Sequence, residues 1–372
     1  VRRREFVKAG IGGAAVAAAA GGTAAAEGRA PEGAGVGAEG VPRVLEEGAP
    51  AGREAGGRWV RPEIGVEYVA VEPRDGEAAE VRFATAGGST AWRPVHVHGG
   101  GPDGSPATTA LAAAPPGCTG YQVRAEGGVV RSAALNVTQG PQVRIGGRRG
   151  GGLRADTGAP GGAEVTYLTR AGWGADESLR FDGSGEEIWP AEYYPVQTVT
   201  VHHTAVETTG DHAADVRAVY HYHAATQGWG DIGYHLLIDP EGRVYEGRYS
   251  GEDGLPVFAE EPAPGSAESV TAGHVYLRNS GNIGVCLLGD FTDAMPTDAA
   301  VDALVAVLRL LCERTGVPPN GEVEYENPVN GETAVQLGVS RHRDWLATEC
   351  PGNTFAAAFD EVVRPRLEGG YR

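Results

Sequence analysis

Val199-Thr200-Val201-His202-His203-Thr204 is the stretch on which the fold turns. Its β-branched residues favour an extended backbone, so the run reads as a buried strand that ends in two adjacent histidines. Side chains alternate along a strand, which sends His202 and His203 to opposite faces. Outward from this strand, Asp211 to Ala225 carries helical spacing through Val216, Val219, Tyr220 and His223. Gly233 to Ile238 and Asn282 to Gly289 read as further strands. Asp298 to Thr315 reads as an amphipathic helix with Leu304, Val307, Leu308 and Leu311 on its apolar stripe. Thr297 or Asp298 can cap it and Gly316 ends it. Gly352 to Leu367 gives a last helix. Strands alternating with helices predict an α/β domain over 164–372, a mixed central β-sheet flanked by helices.

The region before it has another texture. Short alternating runs such as Val66 to Val71, Glu80 to Ala84, Pro94 to His98 and Tyr121 to Arg124 are separated by Gly, Pro and Asp turns. They predict a small all-β, sandwich-like module at 58–145. No catalytic constellation lies in it, and His96 and His98 read as solvent-facing. Whether the module serves attachment or only packs is open from sequence. Residues 27–57 and 146–163 are Gly-rich without periodicity and read as linkers, the first of them disordered. At the start, Arg3-Arg4-Glu5-Phe6-Val7-Lys8 precedes a weakly apolar Ala/Gly stretch and Ala24-Ala25-Ala26. Residues 1–26 therefore resemble a twin-arginine export signal with its cleavage site, which predicts a secreted or cell-wall location.

Composition sets bounds. A net charge of -18 over 372 residues argues against nonspecific binding to nucleic acid or anionic membranes. Four cysteines, at 118, 286, 312 and 350, are too few and too scattered for a disulfide scaffold. Cys286 and Cys312 read as buried free thiols.

Three residues suit a metal. His202 ends its strand, His342 lies in His-Arg-Asp-Trp, and Cys350 lies in Thr-Glu-Cys-Pro-Gly. Two imidazoles and a thiolate fit one Zn2+ and leave a fourth position open, as water activation requires. Their spacing is not a local motif, so the residues alone leave open whether they meet.

Five blocks in order carry a resemblance. They are Arg170-Ala171-Gly172-Trp173-Gly174-Ala175, then Val201-His202-His203-Thr204, then Gly228 to His235. Gly273-His274 through Asn279 to Cys286 follows, and His342-Arg343-Asp344 with Thr348 and Cys350-Pro351-Gly352 closes the series. From Arg170 to about Phe355 the chain resembles the peptidoglycan recognition proteins, which include zinc-dependent N-acetylmuramoyl-L-alanine amidases. The leading module has a general likeness to those of actinobacterial members. The resemblance implies a Zn2+ held by His202, His342 and Cys350, with Tyr234 and Thr348 essential for catalysis. It also implies substrate contacts at His274 and Asn279 and peptidoglycan as partner (glycan strand plus stem peptide); no apolar run beyond the start reaches transmembrane length, so no membrane anchor is expected, and a monomer is the default expectation. Members that lack the cysteine or the tyrosine bind peptidoglycan without cutting it, so the alternative function is a non-catalytic binding protein of the same fold. Two departures bear on the cleft: Ser340-Arg341 replaces the usual glycine, and a Pro/Glu-rich insertion at 251–270 is expected beside the groove.

Overall fold

Strand Thr198–His203 lies inside a seven-stranded mixed sheet, between Asn282–Leu287 and Val339–Arg341, both parallel to it. The computed structural model describes residues 40–49, 57–74, 76, 78–97, 100–145, 147, 149–154, 164–252 and 255–367. The expected export signal and His98 lie outside them. The sheet order is Gly150–Arg154, Glu164–Leu168, Val244–Glu246, Leu236–Ile238, Asn282–Leu287, Thr198–His203 and Val339–Arg341. Strand alternation divides the core. Val199, Val201, Ile283, Val285 and Leu287 face helices Asp298–Thr315 and Asn353–Val362 through Leu304, Leu308, Leu311, Phe355 and Phe359. On the other face Leu237 and Cys286 meet helix His212–His221 through Val216, Val219 and Tyr220. The helix Asp298–Thr315 is capped by the Thr297 hydroxyl, which accepts from Ala300 N at 3.1 Å, and ends at Gly316 with φ 80°. That left-handed turn is one glycine adopts without a Cβ clash.

The leading module is a β-sandwich. One sheet runs Leu45–Ala49, Val129–Asn136, Tyr68–Pro73, Ala110–Ala113. In the other, Ala78–Thr85 pairs with Gly88–Ser89, Arg93–His96 and Gly120–Arg124. Val69, Val71 and Ala134 of the first sheet bury against Val81, Phe83, Tyr121 and Val123 of the second. The alternate residues Tyr68, Ala70, Leu111, Ala113 and Leu135 face the other way. They pack on Val206, Ala214, Ala218 and Tyr222 of the α/β domain. Helix His212–His221 is therefore covered on both sides, and small alanines on its module side let the sheet approach. The Tyr68 hydroxyl donates to Asp215 Oδ1 at 2.5 Å in this interface, and His221 Nε2 lies 2.8 Å from Glu46.

Because that interface is a core, Leu135→Ala is expected to destabilise both regions at once, by about 2–5 kcal/mol for a buried leucine. Chemical denaturation followed at module and domain tryptophans should show one shared transition moving to lower denaturant. Two separate transitions, only one of them shifted, would contradict it.

Three expectations need correction. Within 27–57, residues Val41–Pro42 and Leu45–Ala49 are strands, paired with Gln142–Val143 and Val129–Asn136. Within 146–163, Gly150–Arg154 forms the edge of the main sheet against Glu164–Leu168. Both are edge strands that gain their order from backbone pairing with a neighbour, which leaves no apolar periodicity to read. Gly151 leaves room for the Tyr167 ring, which a Cβ there would meet at 2.3 Å. The insertion at 251–270 places Val257, Phe258 and Ala267 in the core beside helix Asp298–Thr315, and Gly265 N donates to Thr315 O at 3.1 Å. It closes the end of that helix instead of standing free as a groove wall. Among the described residues, no helix is long and apolar enough to cross a membrane.

Candidate metal centre

His202, His342 and Cys350 converge at the C-terminal end of strand Thr198–His203, with their donor atoms all within 4.8 Å of one another. Strand alternation puts His202 on the face of Cys286, its direct cross-strand partner. His203 points the other way, its ring 5.9 Å from that of Phe291.

A hydrogen-bond chain fixes which nitrogen of His202 is free. His274 Nε2 lies 3.0 Å from the Asn282 carbonyl oxygen, which can only accept, so Nε2 carries the His274 proton. Burial pulls His274 down to about 4 and holds the ring neutral. Its Nδ1 is therefore an acceptor for His202 Nε2–H at 2.9 Å. The lone pair of His202 then resides on Nδ1, 3.7 Å from Cys350 Sγ.

The other two donors come from one short closing segment. Arg341 precedes the helical turn His342–Trp345, and the Asp344 carboxylate accepts from Arg341 N at 2.7 Å. Asp344 also pairs with the Arg341 guanidinium at 2.9 Å, so it caps the turn that presents His342. The His342 ring lies 4.6 Å from the His202 ring, centroid to centroid. Ser340, where the family has its usual glycine nearby, sits under the Trp345 indole, which donates to Ser340 Oγ at 2.8 Å. Arg343 N donates to the Cys350 carbonyl at 3.1 Å, and Thr348 Oγ1 accepts from Cys350 N at 3.3 Å. Thr348 is half-buried and directly beside the cysteine.

Tyr234 lies in the block Gly228 to His235, anchored by a buried carboxylate. Asp231 is fully buried and pairs with Arg170 at 2.9 Å and Arg248 at 2.8 Å. Burial alone would raise its carboxyl, and the two guanidinium groups outweigh it and hold it ionised. The Tyr234 ring is 5.4 Å from the His202 ring and 5.5 Å from that of His223. Burial, with Cys286 and Cys350 nearby, pushes its phenol well above the ordinary range, so it is a hydrogen-bond donor at neutral pH. The Tyr234–Cys286 contact was not foreseen from sequence, because it depends on the register between Asn282–Leu287 and its neighbours.

His274 and Asn279 are turned inward. Both are buried, at 0% and 1% exposure, so neither offers a surface to a ligand in this form. Asn279 Oδ1 accepts from His274 N and Val275 N, each at 2.8 Å, and so folds the loop that carries His274. His235 and His223 are held by backbone amides. His235 Nδ1 accepts from Gly284 N at 2.8 Å, and His223 Nδ1 accepts from Gly233 N at 3.1 Å. All four cysteines are buried.

The donor set fits Zn2+. A tetrahedral zinc places its nitrogen and sulfur ligands about 3.6 Å apart, close to the 3.7 Å between His202 Nδ1 and Cys350 Sγ. Burial holds His202 well below its ordinary value, so it is the neutral imidazole that a metal binds. Burial also pushes the Cys350 thiol up to about 12, so a bound cation is what would make it a thiolate. Removing an orienting partner of a ligand typically costs 10–100-fold in affinity. His274→Ala is accordingly expected to weaken zinc binding by about that factor, read by competition with a chromophoric chelator. Unchanged affinity would contradict the tautomer chain.

The buried histidines also set a pH dependence. Burial takes His223 and His235 from 6.5 down to about 3, so the folded protein keeps them neutral where the unfolded chain is protonated. The unfolded state then binds more protons, and stability falls with acidification from near 6.5 toward 3. The melting temperature of the metal-free protein should drop already between about pH 6.5 and 5, above the carboxylate range. A flat profile there, measured by calorimetry, would contradict it.

With this geometry in place, comparison places the chain among known proteins. Residues 192–353 match the family described as N-acetylmuramoyl-L-alanine amidase, a span holding all three metal-set residues. The human N-acetylmuramoyl-L-alanine amidase is 33% identical over 183 residues, which cover 46% of this chain and 26% of the relative. A peptidoglycan recognition protein of Trichoplusia ni is 28% identical over 173 residues, 46% of this chain and 75% of the relative. The chain spans only about a quarter of the length of the human relative. Among solved structures, Drosophila peptidoglycan recognition protein SD aligns over 53% of this chain and 94% of its own, at 22% identity and TM-score 0.38. The resemblance read from the motif blocks therefore holds for this domain.

Proposed function

We propose that this chain is a secreted, zinc-dependent N-acetylmuramoyl-L-alanine amidase that acts on peptidoglycan. The bond cut is the amide joining the muramic acid lactyl group to the L-alanine of the stem peptide. The observation that carries the reading is the meeting of His202, His342 and Cys350 beside Tyr234, inside the span that matches the amidase family. Relatives without the metal-binding cysteine or the tyrosine bind without cutting, and here both are in place.

When bound, zinc supplies Lewis acidity, polarising a carbonyl and acidifying a water near neutral pH. The chain does the rest. His274 holds the His202 tautomer with Nδ1 toward Cys350. The Tyr234 phenol keeps its proton and donates it as a hydrogen bond to the oxygen on which negative charge develops. Thr348 Oγ1 accepts from the Cys350 amide, which leaves its own proton to donate to the lactyl carbonyl or the attacking water. Arg343 and the Asp344 cap hold His342 and Cys350 at fixed spacing. The export signal expected at 1–26 fits a substrate outside the cytoplasm, reached by a soluble monomer.

Binding is separated from hydrolysis by chelation. The full chain, supplied with zinc, should release new primary amines from purified peptidoglycan, lose that release in a strong chelator, and regain it when zinc is added back. Cosedimentation with peptidoglycan and no amine release in any state would support the binding-protein alternative.

A further inference from the structure

The module presses one turn, residues 100–106, against the loops that carry Trp229, Gly273, Tyr276 and Asn279. Gly101 N donates to Ser105 O at 2.6 Å and Ser105 N to Pro102 O at 2.9 Å, which folds residues 100–106 tightly back on themselves. This turn is pressed into the α/β domain. A Cβ at Gly100 would lie 2.5 Å from Tyr276 Cα, and one at Gly101 would lie 2.7 Å from the Trp229 indole nitrogen. Asn279 Nδ2 donates to Gly101 O at 3.2 Å. Further along, Thr108 N and Oγ1 both donate to Gln227 Oε1, at 3.2 and 3.1 Å, and the Tyr222 hydroxyl donates to Thr109 O.

Two lines of contact run from Gly101 to the same metal-set histidine. One passes by ring contacts: Trp229 stacked on His223 at 4.8 Å, then the tilted pairs His223–Tyr234 at 5.5 Å and Tyr234–His202 at 5.4 Å. The other passes by hydrogen bonds, from Gly101 O through Asn279 to His274, and from His274 to His202 Nε2. The residues at their end are nearly sealed. His202 is 1% exposed, His342 and Cys350 2%, and Tyr234 8%. A three-ligand metal set needs an open position for water and substrate, and in this form the side chains that would face that position are almost wholly buried.

We infer that the turn 100–106 is a gate that the leading module holds over the metal centre, and that substrate enters only when this turn lifts from Trp229 and Tyr276. The module is then an access-controlling part of the enzyme, although it lies outside the 192–353 match. Its sandwich has its own core and a second buried face on helix His212–His221. The turn can therefore move while the module stays docked. The gate has a catalytic meaning only if the amidase reading holds, whereas its closure can be read without any substrate.

The test uses the full chain, metal-free, with iodoacetamide as the probe and mass spectrometry to map the labelled thiols. Gly101→Leu forces the turn off Trp229. Gln227→Ala removes the acceptor for both Thr108 bonds without adding volume. Labelling of Cys350 should be about tenfold faster in the first variant, by raising the open population, and faster to a smaller extent in the second. Cys118 and Cys312, buried in the sandwich core and beside helix Asn353–Val362, should be unchanged. Zinc-loaded variants should also turn over a soluble disaccharide-peptide monomer from peptidoglycan faster than the parent. Cys350 labelling equal to the parent in both variants overturns the gate. Faster labelling with slower turnover also overturns it, since the turn would then be a prop for Trp229. If Gly101→Leu exposes the core cysteines as well, Gln227→Ala decides alone. A chain inactive in every form refutes the amidase reading and leaves the labelling result standing.

Discussion

Replacing Cys350 with serine is expected to abolish peptide release and zinc retention together. Cys350 Sγ is the only sulfur of the set, and its backbone is fixed by Arg343 N, Thr348 Oγ1 and the turn into Pro351. Serine keeps that backbone but offers a hydroxyl that a buried site does not deprotonate, and a harder, shorter donor. Loss of an outer partner already costs 10–100-fold in affinity, so loss of a ligand should cost more than about 100-fold. Metal content by plasma mass spectrometry should fall from one zinc per chain toward none. Retention of full zinc and activity by Cys350→Ser would remove the cysteine from the site. The domain core should survive, because the thiol contributes little to the apolar contacts around Phe355 and Phe291.

Tyr234→Phe is expected to separate chemistry from metal binding. The phenol is held protonated by burial, and its ring packs within 5.4 Å of the His202 ring without belonging to the donor set. Removing one preorganised donor to a developing oxyanion typically costs about 10²–10³ in kcat. Zinc content and KM for a soluble muropeptide should stay near the parent values, since the ring and its packing on His223 remain. Loss of zinc in this variant would instead make Tyr234 a structural support of His202. Taken with the cysteine variant, the pair distinguishes a residue that holds the metal from one that acts on the reacting atoms.

The parts of this arrangement that were legible in the sequence are those set by local chemistry. The β-branched run into His202, the Thr297 cap and the Gly316 stop each act over a few residues, and each is where the pattern placed it. The metal set was legible only through the ordered motif blocks, because His202 and the closing segment that carries His342 and Cys350 meet through the parallel register of Thr198–His203 with Val339–Arg341. His274 was read as a substrate contact because the family resemblance implies one at that position. The Asn279 side chain folds that loop inward, and no spacing rule announces such a bond. The edge strands at 45–49 and 150–154 were invisible for a related reason, since their order comes from partners 80 or more residues away for the first, and from an antiparallel neighbour across a Gly-rich stretch for the second. The shared core between Leu135, Tyr68 and helix His212–His221 likewise depends on two regions that are each self-consistent alone. For the same reason, experiments on this chain use the module and the domain together: residues 164–372 alone would expose Val206, Ala214, Ala218 and Tyr222.

The most direct test of the account identifies the bond that is cut. Zinc-loaded full chain and its Cys350→Ser variant are each incubated with purified peptidoglycan, and the soluble products are analysed by mass spectrometry. The account predicts free stem peptides with an N-terminal alanine and glycan strands bearing an intact, peptide-free lactyl group, from the parent alone. Products that keep the lactyl–alanine junction and are cut in the glycan or within the peptide would contradict it.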